Sequence, residues 1–340
     1  MDVSFFCRQS HVLIVAGKGG VGKTTMVAAL ARMAADAGLS VLVVELEGRS
    51  GVPDAFGHED SLSYERAVLG AAGAGSVEVD PPDGDGTPIP KGTVAARMIT
   101  PDEALIEYFD DHGLRRFSKR LLSSGVIDVV AGAIPGIKDV LVLGKVKQIE
   151  RSGIADLILV DAPATGHTMT FLSSASGLVD AARGGPVKAQ AADVVELLTD
   201  PGRCQVVLVT LPEEMPVNEA IDAAYQLEDK VGISLGPVIV NACYTPAPDL
   251  EVTAVKAAAE AGVSLDDTVA AALDAASHFR RTREDLQREQ IERLARGLPL
   301  PHLRVPFVFA ASIGPAELQV LADELAAGIR ALPDGREEGT

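Results

Sequence analysis

The stretch HVLIVAGKGGVGKTTMVAALARMAADAG, residues 11–38, joins a strand pattern, a glycine-rich loop and a helix pattern. Its apolar run at 11–16 predicts a buried strand. The segment 23–37 predicts a helix, which Gly38 closes in the left-handed position of a C-terminal cap. Between them, GKGGVGKT at 17–24 fits the phosphate-loop pattern GxxxxGK[ST]. This order predicts a phosphate site between a strand and a helix.

The loop supplies most of the candidate nucleotide ligands. Its glycines let the backbone turn N–H groups towards phosphate oxygens, and Lys23 is expected to reach the β and γ phosphates. The hydroxyl of Thr24 is expected to ligate Mg²⁺. The candidate residues of the loop are Gly17, Lys18, Gly19, Gly20, Val21, Gly22, Lys23, Thr24 and Thr25.

A second candidate metal residue follows a later apolar run. Asp161 ends LILVD and is expected to hold the magnesium ion through water, as a carboxylate at a strand tip does in phosphate-loop enzymes. The alternative for Asp161 is a helix cap.

The composition indicates a globular protein with little attraction to polyanions. The 340 residues are 47% hydrophobic, and 30 basic against 48 acidic residues give a net charge of −18. This charge disfavours nucleic acids and anionic lipid surfaces. No apolar run approaches the roughly 18 residues that span a bilayer, so no direct membrane insertion is expected. The start of the chain has no secretory-signal pattern, which predicts a cytoplasmic protein.

Strand and helix patterns alternate along the chain. Helix-like segments separate the strands, which indicates an α/β, doubly wound, mostly parallel sheet in a single domain spanning 1–340. Five further apolar runs rich in β-branched residues predict strands, at 40–45, 157–162, 204–210, 236–241 and 302–307.

Other segments interrupt this alternation. Residues 71–92, rich in glycine, proline and acid, predict a flexible surface loop, and residues 333–340 a disordered tail. The segments 100–151 and 166–200 have helical patterns and predict a helical subdomain, inserted at one edge of the sheet.

Several segments together carry a resemblance to a known family: GKGGVGKTT at 17–25, IPGIKD at 134–139, DAPATGHT at 161–168, and HFRRTREDLQREQI at 278–291 leading to VPF. They resemble the arsenite-pump ATPase family, which includes the guided-entry targeting factors for tail-anchored membrane proteins. The resemblance runs from about residue 11 to 330. It implies the P-loop NTPase fold of the deviant Walker A class, with an inserted helical subdomain.

The resemblance implies roles for matching residues. Lys18 would reach across a dimer interface to the phosphates of the partner subunit, in the manner of an arginine finger supplied in trans. Asn241, at the end of the run GPVIVN, would face the adenine, with a turn residue as the alternative. Pro306, Phe307 and the segment up to Pro315 would form the loop over the base.

The chain also departs from the family pattern. Where the first switch usually offers an aspartate, the chain has ELEGRSG, and counting along the segment puts Glu47 at that position. Glu47 is therefore the candidate for holding the attacking water, with Glu45 as its rival. Where the targeting factors carry a zinc-binding CxxC, this chain has DAASHF without cysteine, so no zinc site is predicted.

Together these features predict a Mg²⁺-dependent ATPase that uses ATP and ADP, with Lys18, Glu47 and Asp161 as its catalytic residues. The resemblance implies a dimer with a second copy or a paralogous subunit, coupled to a client or membrane-partner protein. One alternative is a nucleotide-binding regulatory module with little or no hydrolysis. Another is a partition or septum-positioning ATPase, which the acidic C-terminal segment disfavours.

Apolar residues of the first helical segment leave two interpretations open. They line a groove for a client's transmembrane helix, as in the targeting factors, or they pack the subdomain and its interfaces. They are Leu121, Leu122, Val126, Ile127, Val129, Val130, Ile134, Ile137, Val140, Leu141 and Leu143.

Overall fold

The strand that precedes the glycine-rich loop lies inside a single sheet. The computed structural model describes residues 1–46, 51–72, 87–111, 136–163, 165–182 and 184–333. Within these ranges the strands are β1 Val12–Ala16, β2 Val41–Leu46, β3 Ala67–Ala71, β4 Thr93–Ile99, β5 Leu157–Asp161, β6 Cys204–Thr210, β7 Ser234–Leu235, β8 Val238–Cys243 and β9 His302–Pro306. Their order is β3-β4-β2-β5-β1-β6-β8-β9, with β7 beside β6.

Helices occupy the connections between the strands. They are α1 Val3–Cys7, α2 Lys23–Asp36, α3 Val52–Ala55, α4 Pro101–Asp111, α5 Ile137–Ser152, α6 Thr165–Ala181, α7 Pro186–Thr199, α8 Glu214–Gln226, α9 Ala254–Glu260, α10 Asp267–Gly297 and α11 Pro315–Arg330. A π-helical turn at Leu227–Val231 and a 3₁₀ turn at Pro248–Glu251 complete the set. Within the described ranges, no helix is both long and apolar enough to cross a membrane.

Alternate residues of the inner strands β1, β2, β4, β5, β6 and β8 enter two hydrophobic layers. In β1, Val12 and Ile14 pack with α5, α6 and α7 on one face of the sheet. Leu13 and Val15 pack with α2 and α11 on the other face. Every pairing is parallel except β3 with β4. The predicted α/β class and its doubly wound, mostly parallel sheet are confirmed.

Strands β3 and β4 were missed because their sequences break the apolar pattern. β4 carries Arg97, which is buried with its guanidinium 4.5 Å from the centre of the Tyr64 ring. β3 is irregular, with a register shift between Val68 and Gly70. Of the predicted surface loop, Ala71 belongs to β3, and residues 73–86 lie outside the described residues, as do 334–340 of the predicted tail.

The helices expected at one edge of the sheet cover one of its faces instead. In α5, Val140 and Leu143 are fully buried in the same core as strands β1 and β5. The apolar side chains of α5 therefore serve packing, as do its Ile137 and Leu141. The other apolar residues considered for a client groove, from Leu121 to Ile134, lie outside the described residues.

Leu143→Ala should lower the free energy of unfolding by about 2–5 kcal/mol, because it opens a cavity where α5 meets the sheet. Chemical denaturation measures the effect. Leu273→Ala on α10 is the matched control, because Leu273 is 47% exposed. If the two variants were equally stable, α5 would not share the core of the sheet.

Candidate functional site

The glycine-rich loop is pressed against the ends of two strands. Gly20 and Gly22 both have φ of +88°, which side chains disfavour. A Cβ on Gly17 would lie 2.3 Å from the carbonyl oxygen of Val209 on β6. A Cβ on Gly22 would lie 2.4 Å from Nδ2 of Asn241 on β8. The backbone of the loop therefore has room only for glycine at 17 and 22.

Other loop positions divide between solvent and core. Gly19 and Gly20 are exposed at the tip of the loop, whereas Val21 is buried under it and Thr25 is half-buried in the first turn of α2. The buried Lys23 begins α2, and its Nζ donates to the carbonyl oxygen of Lys18 at 3.2 Å. The ammonium group is thus held inside the loop, beside the positive end of the helix dipole.

Thr24 and Asp161 meet next to this loop. The Thr24 hydroxyl donates to Oδ2 of Asp161 at the end of β5, with 2.6 Å between the oxygens. Hydroxyl and carboxylate oxygens suit Mg²⁺, which usually keeps several waters and takes its remaining ligands from one or two carboxylates and from phosphates. In the described ranges, no three His, Cys, Asp or Glu side chains are grouped to hold a metal ion. The Thr24 hydroxyl and the Asp161 carboxylate thus offer the kind of oxygen donors that suit a magnesium ion.

Glu45 lies beside Asp161. The two residues face each other in the register of β2 and β5. Glu45 is only 1% exposed, and its Oε1 accepts a hydrogen bond from the backbone N–H of Val52 at 3.0 Å. Burial raises the pKa of Glu45 to about 7, and the negative charge of Asp161 adds to this effect. Its rival from the sequence, Glu47, lies outside the described residues.

Lys18 points away from the loop that contains it. Its Nζ lies 2.6 Å from Oε1 of Glu219 on α8, and both side chains are 36% exposed. Sequence reasoning missed Glu219, because only the packing of α8 beside β6 brings this acidic side chain near the loop. The sequence of α8, which follows β6, contains several acidic residues, and their order does not reveal which of them contacts Lys18.

Asn241 lies within strand β8 and contacts the glycine-rich loop, and its place beside the adenine stays a prediction. β8 continues past it to Cys243, so Asn241 does not end the strand. Its Nδ2 donates to the carbonyl oxygen of Val21, and its Oδ1 accepts from the N–H of Ala242. These contacts make Asn241 a support of the phosphate loop.

The predicted loop over the base is part of an aromatic group. Pro306 ends β9, and the N–H of Phe307 donates to the carbonyl oxygen of Cys243. The Phe307 ring lies 4.7 Å from the Phe309 ring and 5.6 Å from the Tyr244 ring, both nearly edge-on. Arg280 stacks on Tyr244 at 3.8 Å. Phe309 lies in the segment predicted to cover the base, whereas sequence reasoning missed Tyr244, although it follows a predicted strand by three residues.

The sequence of the chain is similar to the sequences of proteins named as ATPases. Residues 10–183 match the family model described as anion-transporting ATPase. The chain is 35% identical to ATPase BagA of Mycobacterium tuberculosis over 235 residues, which are 67% of this chain and 64% of that protein. It is 30% identical to ATPase GET3 of Rhodotorula glutinis over 166 residues, 49% of this chain and 41% of the relative. The chain thus spans less than two thirds of the length of either relative.

Gly22→Ala should destabilise the protein by about 2–4 kcal/mol, because the left-handed backbone is strained and the new Cβ displaces the Asn241 amide. Gly20→Ala is the matched control, with the same φ but nothing within 4 Å of its Cβ, and should lose only about 1–2 kcal/mol. Chemical denaturation without nucleotide compares them. Equal losses would show that contact with Asn241 does not restrict the loop.

Glu45 should make the nucleotide-free protein less stable as the pH rises from about 4.5 to 7. In this interval the unfolded carboxyl ionises, while the folded one, with its pKa of about 7, keeps its proton. Glu45→Gln should therefore gain stability relative to the wild type by roughly 1–3 kcal/mol between pH 4.5 and 8. Denaturation curves at both pH values test this, and a difference independent of pH would contradict it.

Proposed function

The chain belongs to the anion-transporting ATPase family, and on that premise we propose that it is a Mg²⁺-dependent ATPase acting as a dimeric switch. ATP binding closes two subunits, and hydrolysis opens them again. The cycle is coupled to a client or membrane-partner protein. The observation that carries the proposal is the division between two lysines of one loop: Lys23 faces inwards and Lys18 faces outwards.

Lys23 and the start of α2 form the phosphate site of the chain's own nucleotide. The backbone N–H groups of the loop and the positive end of the α2 dipole favour an anion in the position that the Lys23 ammonium borders. Thr24 and Asp161 would hold the magnesium ion, the latter through water. The ion, when bound, neutralises charge on the β and γ phosphates.

Lys18 can leave its partner Glu219 and contact another subunit at little energetic cost. Its ion pair with Glu219 is partly exposed, and such pairs contribute only about 0–1 kcal/mol. Breaking the contact with Glu219 to bind a phosphate of the partner subunit would therefore cost little. A cation placed there stabilises the charge of the transition state.

The remaining residues hold and cover the nucleotide. Asn241 fixes the phosphate loop through Val21, and Phe307 with its aromatic neighbours offers a face for the adenine. Glu47 stays the predicted carboxylate for the attacking water. The partner is a second copy of the chain or a paralogous subunit.

Lys18→Ala should reduce the steady-state rate of phosphate release by about 100-fold or more, because it removes a transition-state charge contact. It should leave ADP affinity within a few-fold of the wild type. Lys23→Ala should lose both phosphate release and ADP binding. The rates are measured with and without Mg²⁺, and ADP affinity by calorimetry. Unchanged turnover in pure Lys18→Ala would contradict the switch, and release independent of Mg²⁺ would contradict the ATPase.

Mixing the two variants tests whether the lysine acts in trans. A mixed dimer has one subunit that binds ATP and lacks Lys18, next to a subunit that supplies Lys18 and lacks Lys23. Restored phosphate release in the mixture supports a dimer of identical chains. No restoration, with each variant still folded, points to a paralogous subunit as the partner.

A further inference from the structure

One carboxylate oxygen of Glu45 has a partner and the other does not. Oε1 accepts from the N–H of Val52 at the start of α3. Oε2 is buried, and it has no hydrogen-bond partner within the described part of the chain. Buried polar atoms are nearly always paired with protein, water or an ion. The unpaired oxygen therefore points to a ligand that binds in a later state.

The sheet directs Glu45 to the magnesium side. Residues on β2 and β5 alternate between the two faces, and Val43 and Leu159 pack in the layer that contains α2. Glu45 and Asp161 continue these two rows, two residues further along each strand. They therefore project towards the start of α2, where Thr24 donates to Asp161.

The backbone segment whose N–H of Val52 bonds to Glu45 also lies against Thr24. Gly51 precedes Val52, and a Cβ on Gly51 would lie 2.9 Å from Cγ2 of Thr24. The segment that Glu45 holds is thus in close contact with Thr24. Glu45, Asp161 and Thr24 are therefore neighbours, where β2, β5 and the start of α2 come together.

We propose that Glu45 is a second carboxylate of the magnesium site, whose Oε2 holds a water ligand of the ion alongside Asp161. The inference rests on the proposed function, because the ion arrives with the nucleotide. Mg²⁺ commonly uses one or two carboxylates together with phosphates and waters. Glu45 then has two tasks: Oε1 fixes α3, and Oε2 orients the ion's water shell.

The alternative role for Glu45 is only to cap α3. Glutamine separates the two tasks, because its carbonyl oxygen still accepts from Val52 but carries no charge for a magnesium-bound water. Asp54→Asn on α3 is the matched control. It removes the same charge from an exposed carboxylate close to Glu45.

The test measures ADP affinity by calorimetry with and without Mg²⁺, so that the ratio reports the contribution of the ion. Glu45→Gln should reduce this ratio about 10-fold or more and leave the affinity for ADP alone unchanged. Asp54→Asn should keep the ratio of the wild type. An unreduced ratio in Glu45→Gln overturns the inference and makes Glu45 a cap. A wild type that does not bind ADP overturns the proposed function instead.

A second measurement needs no variant. Crystals of the wild-type protein with Mn²⁺ and ADP locate the ion by anomalous scattering. Oε2 of Glu45 should lie about 2.6–3.2 Å from a water bound to the ion. If that oxygen is beyond about 4 Å from every water of the ion, the inference is wrong.

Discussion

The lack of space for a Cβ at Gly17 and Gly22 is the constraint on which the site depends. Gly17 lies against β6 and Gly22 against Asn241 of β8. On the other side of β1, strand β5 ends in Asp161, and β2 carries Glu45 one residue before its last residue. The connection from β1 runs towards β2, and the connection from β5 runs the opposite way, towards β6. The loop therefore emerges at a switch point of the sheet, which is where open α/β sheets bind ligands. The close approach of the backbone at the two glycines fixes the position of the loop relative to β6 and β8.

Sequence reasoning located the elements that obey a strong local rule. The loop motif and six apolar runs determined the centre of the sheet, because a strand buried on both faces has almost no polar residues. It failed at β4, where Arg97 is buried against Tyr64 and only tertiary contacts compensate the charge. It also did not predict the contacts of Glu219 and Asn241. Their partners, Lys18 and Val21, are about 200 residues away in the chain, and residue type alone does not reveal such pairs.

Two kinds of charge in the site have different energetic consequences. The Lys18 ion pair with Glu219 lies near solvent, so making or breaking it changes stability little. Glu45 is buried next to another carboxylate, and this placement opposes its ionisation. A buried carboxyl that destabilises the fold when ionised marks a functional site more often than a structural one. Lys18, near solvent, can exchange its partner at little energetic cost. Glu45, which is buried, is held in one position by its hydrogen bond from Val52.

The family match covers one part of the site and not the other. Residues 10–183 contain the glycine-rich loop, Glu45 and Asp161, the candidate residues for phosphate and metal. Glu219, Asn241 and the aromatic group around Phe307 come from residues beyond that match. The candidate phosphate and metal residues thus lie in the segment that matches the family model. The in-chain partner of Lys18 and the aromatic group lie in the remaining segment. The two parts of the proposed site therefore come from different stretches of the sequence, which only the packing of β6 and β8 beside β1 brings together.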